Sequence, residues 1–321
     1  MVITSRLIKS WIFWLILFLI VVRISFVFIF GQGFRSTVTE QLLSQKQIIA
    51  RAEASNASLF FEKFGDSVAV LAQLNSIEKR DASVVHDMDT FMEQHRSSGF
   101  VGGVVLTDKN GVVQFNSNIL GTRDLDESLA DRDYFIWDKD QAKKGEYFIS
   151  DPVVSRFGAS KGQTIVVVAS PVYQNGVFMG VVAASVKLEP LAEHFFGLMK
   201  LSDQTQIHLF DAEGDLLYSN SEQDSVGLNI SNLFSADQTL RDGIKGAIGT
   251  SKEGQIQTQK YLSAYSPVEL GTQNWLLVIS SSMEEVEKIE SPFRVRQTAL
   301  SILAVFTLIL FGVLLLKKNQ A

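Results

Sequence analysis

The 321-residue chain contains no cysteine, only five prolines and only four histidines. Without thiols there is no disulfide framework, no cysteine nucleophile and no cysteine metal site. The stretch 34–296 is long enough to build a hydrophobic core without disulfides. His86, His95, His194 and His208 stand in no H-E-x-x-H pattern, and neither a G-x-S-x-G elbow nor a phosphate-binding glycine loop occurs. Nothing fixes a pair of carboxylates at working distance for acid–base chemistry. The chain is therefore expected not to be an enzyme and to need no cofactor. Its formal net charge is −6 with no basic stripe, which argues against a nucleic-acid partner.

Two runs have almost no charge. Residues 11–30, WIFWLILFLIVVRISFVFIF, carry only Arg23, and residues 298–316, TALSILAVFTLILFGVLLL, carry none. At about 1.5 Å per residue each crosses a hydrocarbon core of about 30 Å. Both read as transmembrane helices, bounded at 11–31 and 297–316. The first has the alternative of a cleaved signal peptide, but no A-x-A-like site follows it. Arg6 and Lys9 precede the first span and Lys317 and Lys318 follow the second, which places the segments 1–10 and 317–321 in the cytoplasm. Arg35, Lys288, Arg294 and Arg296 lie against this rule on the other side. Arg23 either snorkels outward, the option favoured, or pairs with another chain.

Between the spans the apolar period changes. Val38, Leu42, Ile49, Leu59, Phe60, Phe64, Val68, Leu71 and Leu74 recur at three- and four-residue steps, predicting a long helix over 37–78. A second helix is expected over 82–97. Gly31 and Gly33 are expected to interrupt the first connection to the membrane, and Ser291-Pro292 the second. "GFVGGVVLTDKNGVVQFNSN" (99–118) and "GQTIVVVASPVYQNGVFMGVVAASVKL" (162–188) read as hairpins, with turns at Asp108–Gly111 and Gln174–Gly176. The pattern repeats. "QIHLFDAEGDLLYSN" (206–220) matches the first hairpin and "YLSAYSPVELGTQNWLLVISS" (261–281) the second, with Ser170-Pro171-Val172 opposite Ser266-Pro267-Val268. Two tandem α+β modules with antiparallel sheets follow, at 34–198 (with the long helix) and 199–290.

With "DRDYF" (131–135), "GEYFISDPVVS" (145–155), "ASPVYQNGVFMGVVAASVKL" (169–188) and the later "YSPV…NWLLV" pattern on the page, the chain resembles the double Cache (tandem PAS-like) extracellular sensors of bacteria over about 34–290. The resemblance implies a plasma-membrane protein of two spans, with 34–296 periplasmic or extracellular, and a small-molecule ligand in the membrane-distal first module. It also implies a kinase, cyclase or chemoreceptor as output, and a possible homodimer. Amino-acid-binding members use an R-x-aromatic-aromatic motif, here Arg132, Tyr134 and Phe135. They add an aspartate on the last distal strand that grips the ligand's amino group, and here that position is Ser185. An aromatic expected near Val153 is also missing. An organic acid is therefore favoured over an amino acid.

From the residues themselves, Arg132 offers a planar donor fork that matches a carboxylate, with a salt bridge to Asp131 or Asp133 as the plainer alternative. Tyr134, Phe135, Ile136 and Trp137 point almost all round a helix, so some of them line a cavity or are covered by the long helix. Asp131 is expected to cap the helix, Asp133 to favour its N-terminal dipole, and Asp138 and Asp140 to be surface charges. No metal site is expected, since bulky apolar residues occupy the places where a calcium loop needs oxygens. The segment 147–163 is expected to cross the pocket mouth, with Tyr147, Ser150, Asp151, Ser155 and Arg156 as ligand contacts or simply loop hydrogen bonders. After Leu316 only five residues remain, so the output is expected on a separate membrane partner or on a longer protein; the alternative is an extracellular binding or scaffold protein with no signalling role.

Overall fold

In the computed structural model, which describes residues 11–197, 199, 202, 204–221 and 224–318, the chain opens with helix α1, Trp11–Ala72. The segment 1–10 and the tail end 319–321 lie outside the described residues. Short α2 (Asn75–Lys79) and α3 (Val84–His95) follow. The first module then adds β1 (Val101–Thr107), β2 (Val113–Asn118), α4 (Asp133–Asp140), β3 (Phe148–Ile149), β4 (Val153–Val154), β5 (Thr164–Gln174), β6 (Val177–Lys187) and α5 (Leu188–Phe196). The second contains β7 (Gln206–Phe210), β8 (Leu216–Ser219), α6 (Ile230–Leu233), α7 (Gln238–Ala247), β9 (Gly254–Gln257), β10 (Tyr261–Glu269) and β11 (Asn274–Ser282). Helix α8, Glu284–Lys318, ends the described chain.

The two sheets have one topology. The first runs β2-β1-β6-β5-β3, with β4 also on β5, and the second β8-β7-β11-β10-β9. Pairing is antiparallel between β1 and β2, β1 and β6, β5 and β6, β3 and β5, β4 and β5, β7 and β8, and β7 and β11. The repeat extends to single atoms. Asp108 Oδ1 accepts from the backbone N–H of Asn110 and Val112 at 2.8 and 2.9 Å, and Asp211 Oδ1 from those of Glu213 and Asp215 at 3.0 and 2.8 Å. Gly111 and Gly214 close the two turns at φ +85° and +83°, a conformation that glycine adopts without steric cost.

The chain divides into two compact units. One comprises Lys46–Thr258 and Ser263–Ser280, the other Met1–Gln45, Gln259–Leu262 and Ser281–Ala321. Within the larger unit a single core joins α1 to both sheets. Ala50, Ala54, Ala57, Phe61, Phe64 and Val68 of α1 are buried with Val104, Leu106, Val166 and Val168 of the first sheet and with Ile207, Leu209, Leu277 and Ile279 of the second. Phe61 meets the Trp275 ring edge-on at 5.6 Å. Within the smaller unit α1 and α8 pair: Phe34 stacks on Phe293 at 4.3 Å, and Ile16 lies where a side chain at buried Gly312 would be. Val38, Leu43, Leu262 and Val286 form its small core.

Two expectations fail here. Gly31 and Gly33 do not interrupt α1, and Ser291-Pro292 does not interrupt α8. A glycine costs a helix only about 1 kcal/mol, and the apolar run before it and the glycine- and proline-free stretch 34–64 after it carry the helix through. Pro292 sits inside α8, nine residues into a helix of 35, where it removes one N–H that the many remaining helix bonds outweigh.

The closest backbone approach in the first sheet is at Gly180, φ +142°, where a Cβ would collide with the Thr107 carbonyl oxygen. The same carbonyl accepts from Arg80 Nη2 at 2.7 Å, and Arg80 Nη2 also reaches Met179 O at 2.6 Å. Neither partner of this contact can yield. Gly180→Ala is expected to lower stability by about 2–4 kcal/mol, read as a drop in Tm of the full chain. An unchanged Tm would show that β1 and β6 separate freely there.

Candidate functional site

The first sheet has two faces, and strand alternation decides what each one does. Val104 and Leu106 of β1, Val166 and Val168 of β5, and Val182, Ala184 and Val186 of β6 face the core shared with α1. Their neighbours Val105, Ile165, Val167 and Ala183 face the other way. There they floor a cavity of about 50 Å³ roofed by the start of α4 and by residues 153–160. The register of β1 against β6 shifts between Val101 and Gly103, so Gly102 and Gly103 both line the cavity. On β2 the alternation continues: Ser117 bonds to Asp89 of α3, while Asn116 and Asn118 line the cavity.

The polar lining is one-sided in charge. Among the described residues it holds Arg132, Arg156, Asn116, Asn118, Ser155, Ser160 and Ser185, and no carboxylate. Arg132 donates from Nη2 to the Val154 carbonyl at 3.1 Å, while its Nε is buried with no acceptor. Arg156 forms a two-pronged pair with Asp131, whose carboxyl is held below the usual range by that guanidinium. These two links fasten the segment 153–160 across the cavity. At the other end the Ser160 hydroxyl is buried without a partner, lying where a Cβ on Gly102 would be. Ser185 Oγ donates to Gly103 O at 3.3 Å. A buried donor without an acceptor costs about 1–3 kcal/mol, so two in one small cavity mark a place where an acceptor belongs.

Of the residues expected at the site, Arg132, Tyr134, Ser155, Arg156 and Ser185 line the cavity; Phe135, Trp137, Tyr147, Ser150 and Asp151 do not. Burial pushes the Tyr134 phenol upward. Phe135 points to the Phe178 ring at 6.1 Å, and Trp137 packs on Phe148 at 5.2 Å, because each helical residue turns by about 100° and so leaves the face of Tyr134. Tyr147 lies over Gly65 of α1. Ser150 is buried in the ladder, accepting from Val167 N at 3.0 Å and donating to Asp151 O at 2.7 Å. Asp151 is exposed, its carboxyl raised first by partial burial and then by Glu213 of the second module and Asp133. The residues missed by sequence reasoning are Asn116, Asn118 and Ser160. The period-two pattern of "FNSN" (115–118) was the signal for the first two.

Beside the missed residues stands a different junction. The Thr272 hydroxyl, at the β10–β11 turn, accepts from Ile149 N at 2.9 Å and donates to Ile149 O at 2.7 Å. Ile149 is four residues before Val153 of the cavity wall, so one short strap touches both the cavity and the second module.

The aspartates of the 131–140 stretch also differ from expectation. Asp131 is not the helix cap. Arg132 holds that position without a side-chain capping bond, because Asp131 turns to Arg156. Asp138 is not a surface charge but fully buried, with neither oxygen hydrogen-bonded. The helix face it occupies packs on β5 and β6.

With this geometry in place, the comparisons give the class. The chain belongs to the double Cache family: the family's Cache-domain model matches residues 32–288, making this region a sensor domain of the kind found in signal-transduction proteins. No sequence match is found among curated proteins. Similar folds include the domain of a sensory box/GGDEF family protein from Vibrio parahaemolyticus (TM-score 0.61, 15% identity, 79% of this chain and 99% of that one). The ligand-binding domain of the Campylobacter jejuni chemoreceptor Tlp3 with L-norvaline is another (0.57, 14%, 78% and 95%). A third is that of the Pseudomonas fluorescens chemoreceptor CtaA with L-serine (0.54, 17%, 78% and 99%).

Burial pushes the Asp138 carboxyl up to about 8, from an ordinary value of 3.8. Below about pH 4 both folded and unfolded chains hold the proton and the group costs nothing. Between about pH 4 and pH 8 only the folded chain holds it, so stability falls as pH rises, by up to about 1.4 kcal/mol per unit. Above about pH 8 the cost is constant. Asp138→Asn is expected to gain Tm relative to the parent chain progressively across that window and then level off. A gap independent of pH would show that Asp138 ionises normally.

Proposed function

We propose that the protein is a membrane-anchored extracytoplasmic sensor that binds a small carboxylate in its first, membrane-distal module and passes a conformational signal to a cytoplasmic output. The reading treats it as a binding protein, not an enzyme. The observation that carries it is the cavity lining: two guanidiniums, no carboxylate, and the buried Arg132 Nε without an acceptor. A ligand carboxylate supplies that acceptor and matches the fork. With no acid in the lining there is nothing to neutralise a ligand ammonium, which favours a plain organic acid over an amino acid. A cavity of about 50 Å³ has room for roughly four waters, which suggests a ligand of only a few heavy atoms.

Two apolar helices flank the sensor domain, each long enough to cross a membrane. Trp14, Phe18, Phe28, Phe306 and Phe311 are exposed on them, surface that water would not tolerate and a bilayer solvates. The route out of the cavity is the strap. A ligand that draws on Arg132 acts on Val154, whose carbonyl Arg132 holds. Ile149 then carries the displacement to Thr272 and the second module, whose last strand, β11, ends two residues before α8 begins.

Thermal shift of the full chain in detergent, screened against acetate, propionate, lactate and pyruvate and against amino acids, tests the ligand class. A short monocarboxylate is expected to raise Tm, and Arg132→Ala to weaken it about 30-fold or more. Ser185→Asp is expected to exchange this preference for amine-bearing ligands. A hit that survives Arg132→Ala unchanged places the ligand elsewhere. For transmission, spin labels at Arg35→Cys and Arg294→Cys report the α1–α8 distance in a chain with no other thiol. Saturating ligand is expected to change that distance, and Thr272→Ala to remove the change while leaving binding intact. No change at saturation would leave a binding protein without signalling.

A further inference from the structure

The α1–α8 pair holds a groove of about 600 Å³ that the sensor reading does not use. Its walls are apolar, including Val27 and Phe28 of α1 and Ile302, Val305 and Phe306 of α8. Arg23 opens onto it. The Arg23 Nε is buried by the protein itself and has no acceptor, and the guanidinium carbon lies 5.9 Å from the Phe26 ring centroid. Arg23 stands seven residues inside Phe30, roughly 10 Å of helix axis.

A guanidinium at that depth either snorkels to the interface or takes an anionic partner, and the Arg23 Nε held inside the groove speaks for the partner. This chain supplies none there. Neither 11–30 nor 298–316 contains Asp or Glu. The nearest acid along α8, Glu290, lies eight residues before Thr298 of the groove wall, about 12 Å of axis away. A second copy of the chain would bring only another Arg23 to the same level. The groove wall also carries Thr298 and Ser301, small polar residue types that let helices approach closely.

We infer that this groove is the docking site for a transmembrane helix of a different protein, one that carries an aspartate or glutamate at the depth of Arg23. The inference rests on the two-span reading. It names the partner by its chemistry: an apolar helix face with a single carboxylate, satisfying the Arg23 Nε that the chain leaves open.

The test uses the full chain in phosphatidylcholine vesicles, donor-labelled at Arg35→Cys, and an acceptor-labelled leucine-alanine transmembrane peptide. The peptide carries one Asp at matching depth, or Asn or Leu in its place. The Asp peptide is expected to give energy transfer at about 5- to 30-fold lower peptide density than the Leu peptide. Arg23→Leu is expected to erase that preference and Arg23→Lys to keep part of it. Equal transfer from the Asp and Leu peptides overturns the inference, and so does a preference that survives Arg23→Leu. Loss of the preference on adding phosphatidylglycerol overturns it in favour of a lipid phosphate, and Arg23-dependent transfer between two labelled copies overturns it in favour of self-association. A membrane-impermeant thiol reagent applied to cells carrying Arg35→Cys or Lys317→Cys checks the two-span reading separately. If the two positions do not lie on opposite faces that reading fails; if they do and the Asp preference is absent, only the docking inference fails.

Discussion

Both sheets are held by one side of one helix. Ala50, Ala54 and Ala57 bring α1 close, and Phe61, Phe64 and Val68 then fill the space between it and the strands of both modules. Small residues at four- and three-residue spacing set the distance, and large ones farther along set the fill. The candidate cavity lies on the opposite face of the first sheet. Because Val104, Leu106, Val166 and Val168 are committed to α1, strand geometry commits their neighbours to the cavity. The binding face is in this sense a by-product of the packing face, and the register shift after Val101 adds the two glycines that leave room in it.

Much of the fold was legible in the sequence, for physical reasons that particular residues show. The hairpins announced themselves through turn chemistry, Asp108 with Gly111 and Asp211 with Gly214, and through β-branched strands. The repeat followed from those same turns. The helix interruptions at Gly31 and Pro292 were misread because local propensity is worth about 1–3 kcal/mol, less than helices of 62 and 35 residues supply by continuing. The short strands β3, β4 and β9 gave no readable period at all.

The site was legible only where chemistry is local. Arg132 and Tyr134 are fixed by the start of α4, and Ser185 by strand parity. Tyr147, Ser150 and Asp151 are close to the cavity wall in sequence, but Tyr147 packs on α1, Ser150 belongs to the ladder with β5, and Asp151 is exposed. Asp138 was unreadable because α4 has aromatics all round it, so no apolar stripe told which aspartate turns inward. Ser160 gave no signal, since a lone serine in a glycine-containing loop has no period.

Thr272 has a consequence of another kind. β3 is the outermost strand of the first sheet, so the outward N–H and C=O of Ile149 are an open edge of the sort that recruits further strands. One hydroxyl, 123 positions downstream, satisfies both groups. The first module thus borrows its edge protection from the second. Cut apart at the boundary between them, the first half would present a bare strand margin to its neighbours, so the tandem arrangement also serves as protection against strand-to-strand association.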